Sequence, residues 1–420
     1  MKKKSLAIQA GYKKDTQATM SVPIYMTTAY KFKDSQHAAN LFNIKELGNI
    51  YTRLTNPTNA IFEKRFASLE GGVSAVSTAS GMAAIFSAIA NLCEAGDNII
   101  VSNSVYGGTT TLTDHTIKRF GITTKKFDVT NPSILEDLID EKTKLILFES
   151  LSNPTLIVPE FKKIVQIAKK YNIITIVDNT VATAYLCNPI KLGCDIVVHS
   201  TSKYTVGNGT SLGGIIVEGK SAAKKLKNNA RYKHFNTPDR SYHGLIYTKL
   251  PYPPFNMRIV LAVLRDFGVT ASPFNSWMMI QGLESLGLRI KQHSKSALKI
   301  AKFLKSHKKI KKVNYPGLKS DTNYKRAKRY FNKKYFSGLL SFEVEDIQTA
   351  KNIADNIKIF SVVVNIGDSK SIITHPASTT HQQLSKDELE KANIKEGLIR
   401  LSIGLEHHKD LIKALKKVLN

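Results

Sequence analysis

From about residue 72 onward the chain repeats one pattern: a short apolar run rich in Val and Ile stops at a cluster of small polar residues, and a stretch with helical spacing follows. The runs NIIVSNSVY (98 to 106), TKLILFES (143 to 150), NIITIVDNT (172 to 180), CDIVVHS (194 to 200) and GGIIVEG (213 to 219) are apolar at successive positions. They read as strands buried on both faces, the signature of a largely parallel sheet covered by helices. EFKKIVQIAKKY (160 to 171) carries apolar residues at helical spacing and predicts one of those covering helices. The pattern as a whole predicts a doubly wound α/β domain, with ligands at the carboxyl ends of its strands.

The rest of the chain departs from this rhythm. Residues 1 to about 55 have no comparable pattern and read as an extended arm. Between about 225 and 275 the sequence is dense in Pro, Asn and Tyr, and reads as a long loop or small insertion. A long helix is predicted from near Pro273, followed by a second, smaller α/β unit that ends in GLIRLSIGLE and a basic C-terminal helix. With 420 residues, two domains are expected. The expected division is an arm at 1–55, a large domain at 56–285 and a C-terminal domain at 286–420.

Composition changes this picture little. The chain holds 61 Lys and Arg against 33 Asp and Glu, a net charge of +28, which by itself would suit a polyanion such as nucleic acid. The lysines are spread along the chain, however, without aromatic-interleaved basic motifs or zinc-finger spacing, so a solvated surface is the preferred reading and no nucleic-acid partner is expected. Three cysteines, Cys93, Cys187 and Cys194, form no C-x-x-C pair, which argues against a disulfide framework and for a reducing compartment such as the cytoplasm. No apolar stretch has the length of a membrane span.

The chemistry concentrates at the strand ends. Lys203 follows VVHSTS, where an apolar strand and a hydroxyl-lined turn would desolvate its amine; the alternative is an ordinary surface lysine. Ser200 and Ser202 beside it suit a phosphate. So does TASGMAAI, in which a strand gives way at Ser80 and Gly81 to a helix whose first amides and positive dipole end face any anion there. Asp178 closes IITIVD and would be a partner for a pyridinium N–H or, alternatively, a turn cap. Tyr106, followed by two glycines, could lay its ring on a planar group or belong to the core. Arg400 in an otherwise apolar strand requires an anionic partner, either a ligand or an internal salt bridge. A lysine, a phosphate cradle, a carboxylate and an aromatic platform together describe pyridoxal 5'-phosphate.

Several longer motifs carry a resemblance: YTRLTNPT (51 to 58), ASGMAAI, VYGGT, ESLSNPT, VDNT, HSTSKY, THPASTTH (374 to 381) and IRLSIGLE (399 to 406). On these, the chain resembles the Cys/Met-metabolism family of fold-type I pyridoxal-phosphate enzymes over nearly its whole length. The resemblance implies that Lys203 is the Schiff-base lysine and that Ser200, Ser202 and the amides of Gly81 and Met82 form the phosphate site. It implies that Asp178 faces the pyridine nitrogen, that Tyr106 stacks on the ring, and that Asn153 and Arg400 hold the substrate α-carboxylate. Tyr51 and Arg53 look like the pair that reaches the phosphate in a neighbouring subunit, which implies dimers, usually paired into tetramers. Within the family, FNTPDRSYHGLIY, the VVNIGD segment with Asn365, and Gly108 where methionine γ-lyases carry a cysteine resemble the O-acetylhomoserine sulfhydrylases. The implied reaction is γ-replacement of acetate by sulfide to give homocysteine, with cystathionine γ-synthase or a γ-lyase activity as the alternative.

Overall fold

The structure is a computed structural model and describes residues 1–420 apart from 15, 333, 380, 381, 383–388 and 390–393. Its larger sheet is built from β1 (Ser74–Thr78), β2 (Asn98–Ser102), β3 (Thr123–Phe127), β4 (Thr143–Glu149), β5 (Ile174–Asp178), β6 (Ile196–Ser200) and β7 (Gly214–Glu218). They lie in the order β1-β7-β6-β5-β4-β2-β3. The five strands from β6 to β3 are mutually parallel, and β7 runs antiparallel to both β6 and β1.

Successive residues of these strands enter two separate cores. Ile146, Phe148, Val177 and Val197 belong to one, while Leu145, Leu147, Ile176 and Val198 belong to the other. Each fully buried aliphatic side chain contributes about 1.5–3 kcal/mol, so continuous apolar runs are what hold this sheet between its helical layers. The Phe161–Lys170 helix covers one face, burying Phe161, Ile164, Ile167 and Ala168. The Gly81–Leu92 helix covers β6 and β7 on the other.

A second sheet contains β8 (Lys312–Asn314), β9 (Leu339–Glu343), β10 (Ser361–Val362), β11 (Ile372–Thr374) and β12 (Leu398–Ser402), in the order β10-β11-β12-β9-β8. The 33-residue helix Pro273–Lys305 joins the two halves: it packs on the Pro57–Glu70 helix, on β9 and on the C-terminal helix His408–Leu419. The expected boundary at 285 falls inside this helix.

Three elements differ from expectation. The first residues are not an extended arm, because Lys3–Gln9 is helical and packs on the Pro57–Glu70 helix, with Ala7 fully buried. The segment 225–275 is not a long loop but a small insertion of short helical turns followed by a continuous helical stretch over 254–267; Tyr232, Phe235, Tyr247 and Phe255 plug it into the core. The strand β3, TTKKF, escaped the pattern because it is a polar edge strand, its lysines held by Asp140 and Asp114. The end of the THPASTTH motif, positions 380 and 381, lies outside the described residues.

Candidate active site

The strands β4, β5 and β6 end side by side at Glu149, Asp178 and Ser200, and a cleft opens above them. Gly81, Met82, Tyr106, Asn153, Asp178, Ser200, Ser202, Lys203, Asn365 and Arg400 all line it. Residues from both sheets therefore meet at one place.

One end of the cleft is a cradle of neutral donors. Ser80 caps the Gly81–Leu92 helix by accepting from the amide of Ala83 at 3.1 Å. The amides of Gly81 and Met82 precede any intrahelical partner, so they are free to bind an anion. Gly81 is required by close approach: a Cβ there would meet the Ser200 Cβ at 2.5 Å. Ser200 is held in turn through its amide, which donates to Thr180 Oγ1 at 2.8 Å, and the Ser202 hydroxyl accepts from Gly213 N at 3.0 Å. These donors fit a phosphate group.

In the middle of the cleft, Lys203 Nζ donates to Asn365 Oδ1 at 2.8 Å. Burial first, and then the positive charge of Arg400, lower the Lys203 pKa below the ordinary lysine value. A larger fraction of neutral, nucleophilic amine results. The backbone after Lys203 is clamped from the long helix: Arg289 donates to Tyr204 O (2.7 Å), Thr205 O (3.0 Å) and Gly282 O (2.7 Å).

Asp178 accepts from the amide of Thr180 at 2.9 Å, so it caps its own turn while also lining the cleft. Burial raises its pKa, against the Thr180 hydrogen bonds and nearby His199, which lower it. Tyr106 remains 39% exposed, with its ring at the cleft wall. Gly108 lies against that ring, where a Cβ would come within 2.7 Å of Tyr106 Cε1.

Arg400 on β12 is 3% exposed and donates to Asn153 Oδ1 (3.1 Å), Asn365 O (2.9 Å) and Thr374 Oγ1 (3.0 Å). Its Nε has no partner, and no ion pair to it occurs among the described residues. Burial lowers its pKa to about 10. Among the described residues no internal salt bridge is made to it, and a buried cation in this state suits a ligand carboxylate.

Two candidates are absent from this cleft. Tyr51 and Arg53 do not line it; the Arg53 guanidinium instead sits 5.3 Å from the Tyr51 ring centroid, and Tyr51 is 39% exposed. Glu149 and Thr180 were missed from the sequence. Glu149 gave the same signal as Asp178, an acid directly after a run of buried apolar residues.

The family model for Cys/Met metabolism PLP-dependent enzymes matches residues 4–420. The chain belongs to this family. The pyridoxal-phosphate dependence of the family agrees with the amine, donor cradle and buried carboxyl gathered in the cleft. Among relatives, the O-acetyl-L-homoserine sulfhydrylase of Leptospira meyeri is 43% identical, covering 100% of this chain and 96% of that protein. The homocysteine synthase of Schizosaccharomyces pombe is 40% identical over 99% and 97% of the two chains. Among solved structures, a putative O-acetylhomoserine (thiol)-lyase of Campylobacter jejuni, crystallised with N'-pyridoxyl-lysine-5'-monophosphate, superposes with a TM-score of 0.99 at 52% identity and complete coverage of both chains. The fold is thus that of fold-type I pyridoxal-phosphate enzymes, with a large, mostly parallel sheet and a smaller one.

Proposed function

We propose that this family member replaces the acetyl group of O-acetylhomoserine by sulfide, releasing acetate and forming homocysteine, a step of methionine biosynthesis. The observation that carries this reading is Arg400: a buried guanidinium without an anion among the described residues, hydrogen-bonded to Asn153 and linked through Asn365 to the Lys203 amine. It supports an α-amino acid whose carboxylate docks at Arg400 and Asn153 and whose α-carbon lies near Lys203. The names of the full-length relatives support O-acetylhomoserine as that amino acid.

In this mechanism pyridoxal phosphate, when bound through Lys203, supplies an electron sink for negative charge at the substrate α-carbon. Ser200, Ser202 and the amides of Gly81 and Met82 hold its phosphate. Asp178 holds a proton on the pyridine nitrogen, and Tyr106 covers the ring. Lys203 Nζ, once the substrate amine has taken its place, would remove the α-proton and then a β-proton so that acetate can leave the γ-carbon; after sulfide adds there, the same amine would return protons to the β- and α-carbons.

Among the described residues, Ser200, Ser202, Gly81 and Met82 offer the cradle no cation to match a phosphate dianion. Arg53 from a second copy supplies it in our reading, with the Tyr51 hydroxyl as a further donor, so the working unit is at least a dimer, with dimers paired into a homotetramer. The domains are proposed as 56–285 and 286–420, with 1–55 contacting the neighbouring subunit. A cytoplasmic location is supported by three buried, free cysteines. Among the described residues no helix is long and apolar enough to cross a membrane.

The test is product analysis with purified protein. O-acetylhomoserine plus sulfide should yield homocysteine and acetate as the fastest reaction. Faster formation of cystathionine from cysteine, or methanethiol release from methionine alone, would replace this assignment with a cystathionine synthase or γ-lyase.

A further inference from the structure

Glu149 has no part in the mechanism above, yet it sits among the groups that do. It ends β4 in register with Asp178 at the end of β5, and both carboxyls line the cleft. Its Oε1 accepts from the amide of Tyr106 at 2.6 Å. Its Oε2 is buried with no hydrogen-bond partner among the described residues, and the residue as a whole is 7% exposed.

Two carboxylates at neighbouring strand ends in a dry site repel each other, and the pair retains a proton that two separated acids would have lost. The surroundings decide which one keeps it. Each accepts an amide hydrogen bond, but Asp178 also has His199 close by, which favours its ionised form. Glu149 leaves one oxygen bare in a buried setting, the state that most penalises a carboxylate. Burial, followed by the charge of Asp178, holds its carboxyl well above the usual range. Lys203, Tyr106 and Arg400 are the other titratable groups facing this cleft.

We propose that Glu149 is a positioning residue: a neutral carboxylic acid that fixes the Tyr106 backbone, and so the ring above the cofactor, while leaving the negative charge of the pair to Asp178. This rests on the roles given above to Tyr106 and Asp178.

The experiment reads cofactor binding to the apoprotein, not turnover. Glu149→Ala should bind pyridoxal phosphate about tenfold more weakly and lose much of the visible circular dichroism of the bound cofactor. In a Tyr106→Ala background the same change should add less than about twofold. Glu149→Gln, neutral and still an acceptor, should restore affinity and keep the pH midpoint of the cofactor absorbance within about 0.3 unit of wild type. The proposal fails if Glu149→Ala matches wild type in affinity and dichroism. It fails equally if its effect multiplies with that of Tyr106→Ala, or if Glu149→Gln moves the midpoint by about a unit or more. Should Glu149→Ala not fold, Glu149→Met, of similar volume but without the acceptor, carries the same comparison. Asp178→Asn and Tyr106→Ala separate this failure from a deeper one: if they too leave the cofactor signals unchanged, the assigned roles of those residues fall first.

Discussion

Arg400 lies on β12 of the smaller sheet and Asn153 in the turn after β4 of the larger one, 247 positions apart, yet Nη1 of the one lies 3.1 Å from Oδ1 of the other. The contact closes the cleft between the two halves of the molecule. It also leaves a buried positive charge whose partners among the described residues are neutral oxygens.

That arrangement sets function against stability. Arg400→Met should leave the melting temperature of the ligand-free protein unchanged or higher, because an unpaired buried cation contributes little to folding. The same substitution should reduce kcat/KM for O-acetylhomoserine by about 100-fold or more. Arg400→Lys should recover only part of this, since an ammonium lacks the planar fork. Calorimetry beside steady-state kinetics checks the pair, and a melting temperature that drops with unchanged kinetics would contradict it.

The Lys203 amine gives a pH dependence whose sign can be fixed in advance. Its pKa in the folded protein is below the lysine value of 10.5, chiefly through burial and then through Arg400. Between the lowered value and 10.5 the unfolded chain therefore binds more protons than the folded one. The stability of the apoprotein should rise with pH across that window. Lys203→Met removes the contribution, so its stability relative to wild type should be greatest near neutrality and shrink as pH approaches 10.5. Urea titrations at several pH values measure this difference. The variant should also be folded and devoid of turnover.

Gly108 sits where bulk would strike the Tyr106 ring. Gly108→Ala should push the ring off its present position and weaken pyridoxal-phosphate binding by about tenfold, the magnitude of one lost aromatic contact. Equilibrium titration of the apoprotein decides it. Unchanged affinity would mean that the ring has room to retreat without loss.

The proposed exchange of Arg53 between subunits predicts complementation. Arg53→Ala and Lys203→Ala proteins should each be impaired or inactive alone. Coexpressed, they should form mixed dimers in which one site has both residues intact. Recovered activity in the mixture, absent when the two purified proteins are assayed without subunit exchange, supports the shared site. Its absence in verified mixed dimers would place Arg53 elsewhere.

Much of this site was legible in the chain because a parallel sheet buried on both faces writes itself as apolar runs that stop abruptly. Asp178, Ser200 and Lys203 stand at such stops, and the structure gathers them. Glu149 stands at one too, at the end of TKLILFE, but its value depends on the amide of Tyr106 and on its neighbour across the sheet, which no local pattern encodes. The same holds for Arg289, whose partners are three main-chain carbonyls and the Ser285 hydroxyl. The helical turns between 230 and 249 were illegible for a different reason: each is too short for a period to develop, and isolated aromatic plugs such as Tyr232 and Tyr247 anchor them.

Asn365 gives its side chain to the Lys203 amine and its main-chain oxygen to Arg400. Whatever shifts this one residue is felt simultaneously by the group that would grip an incoming acid and the group that would attack beside it. Recognition at one end of a bound molecule and reactivity at its centre are thereby geared to a single joint.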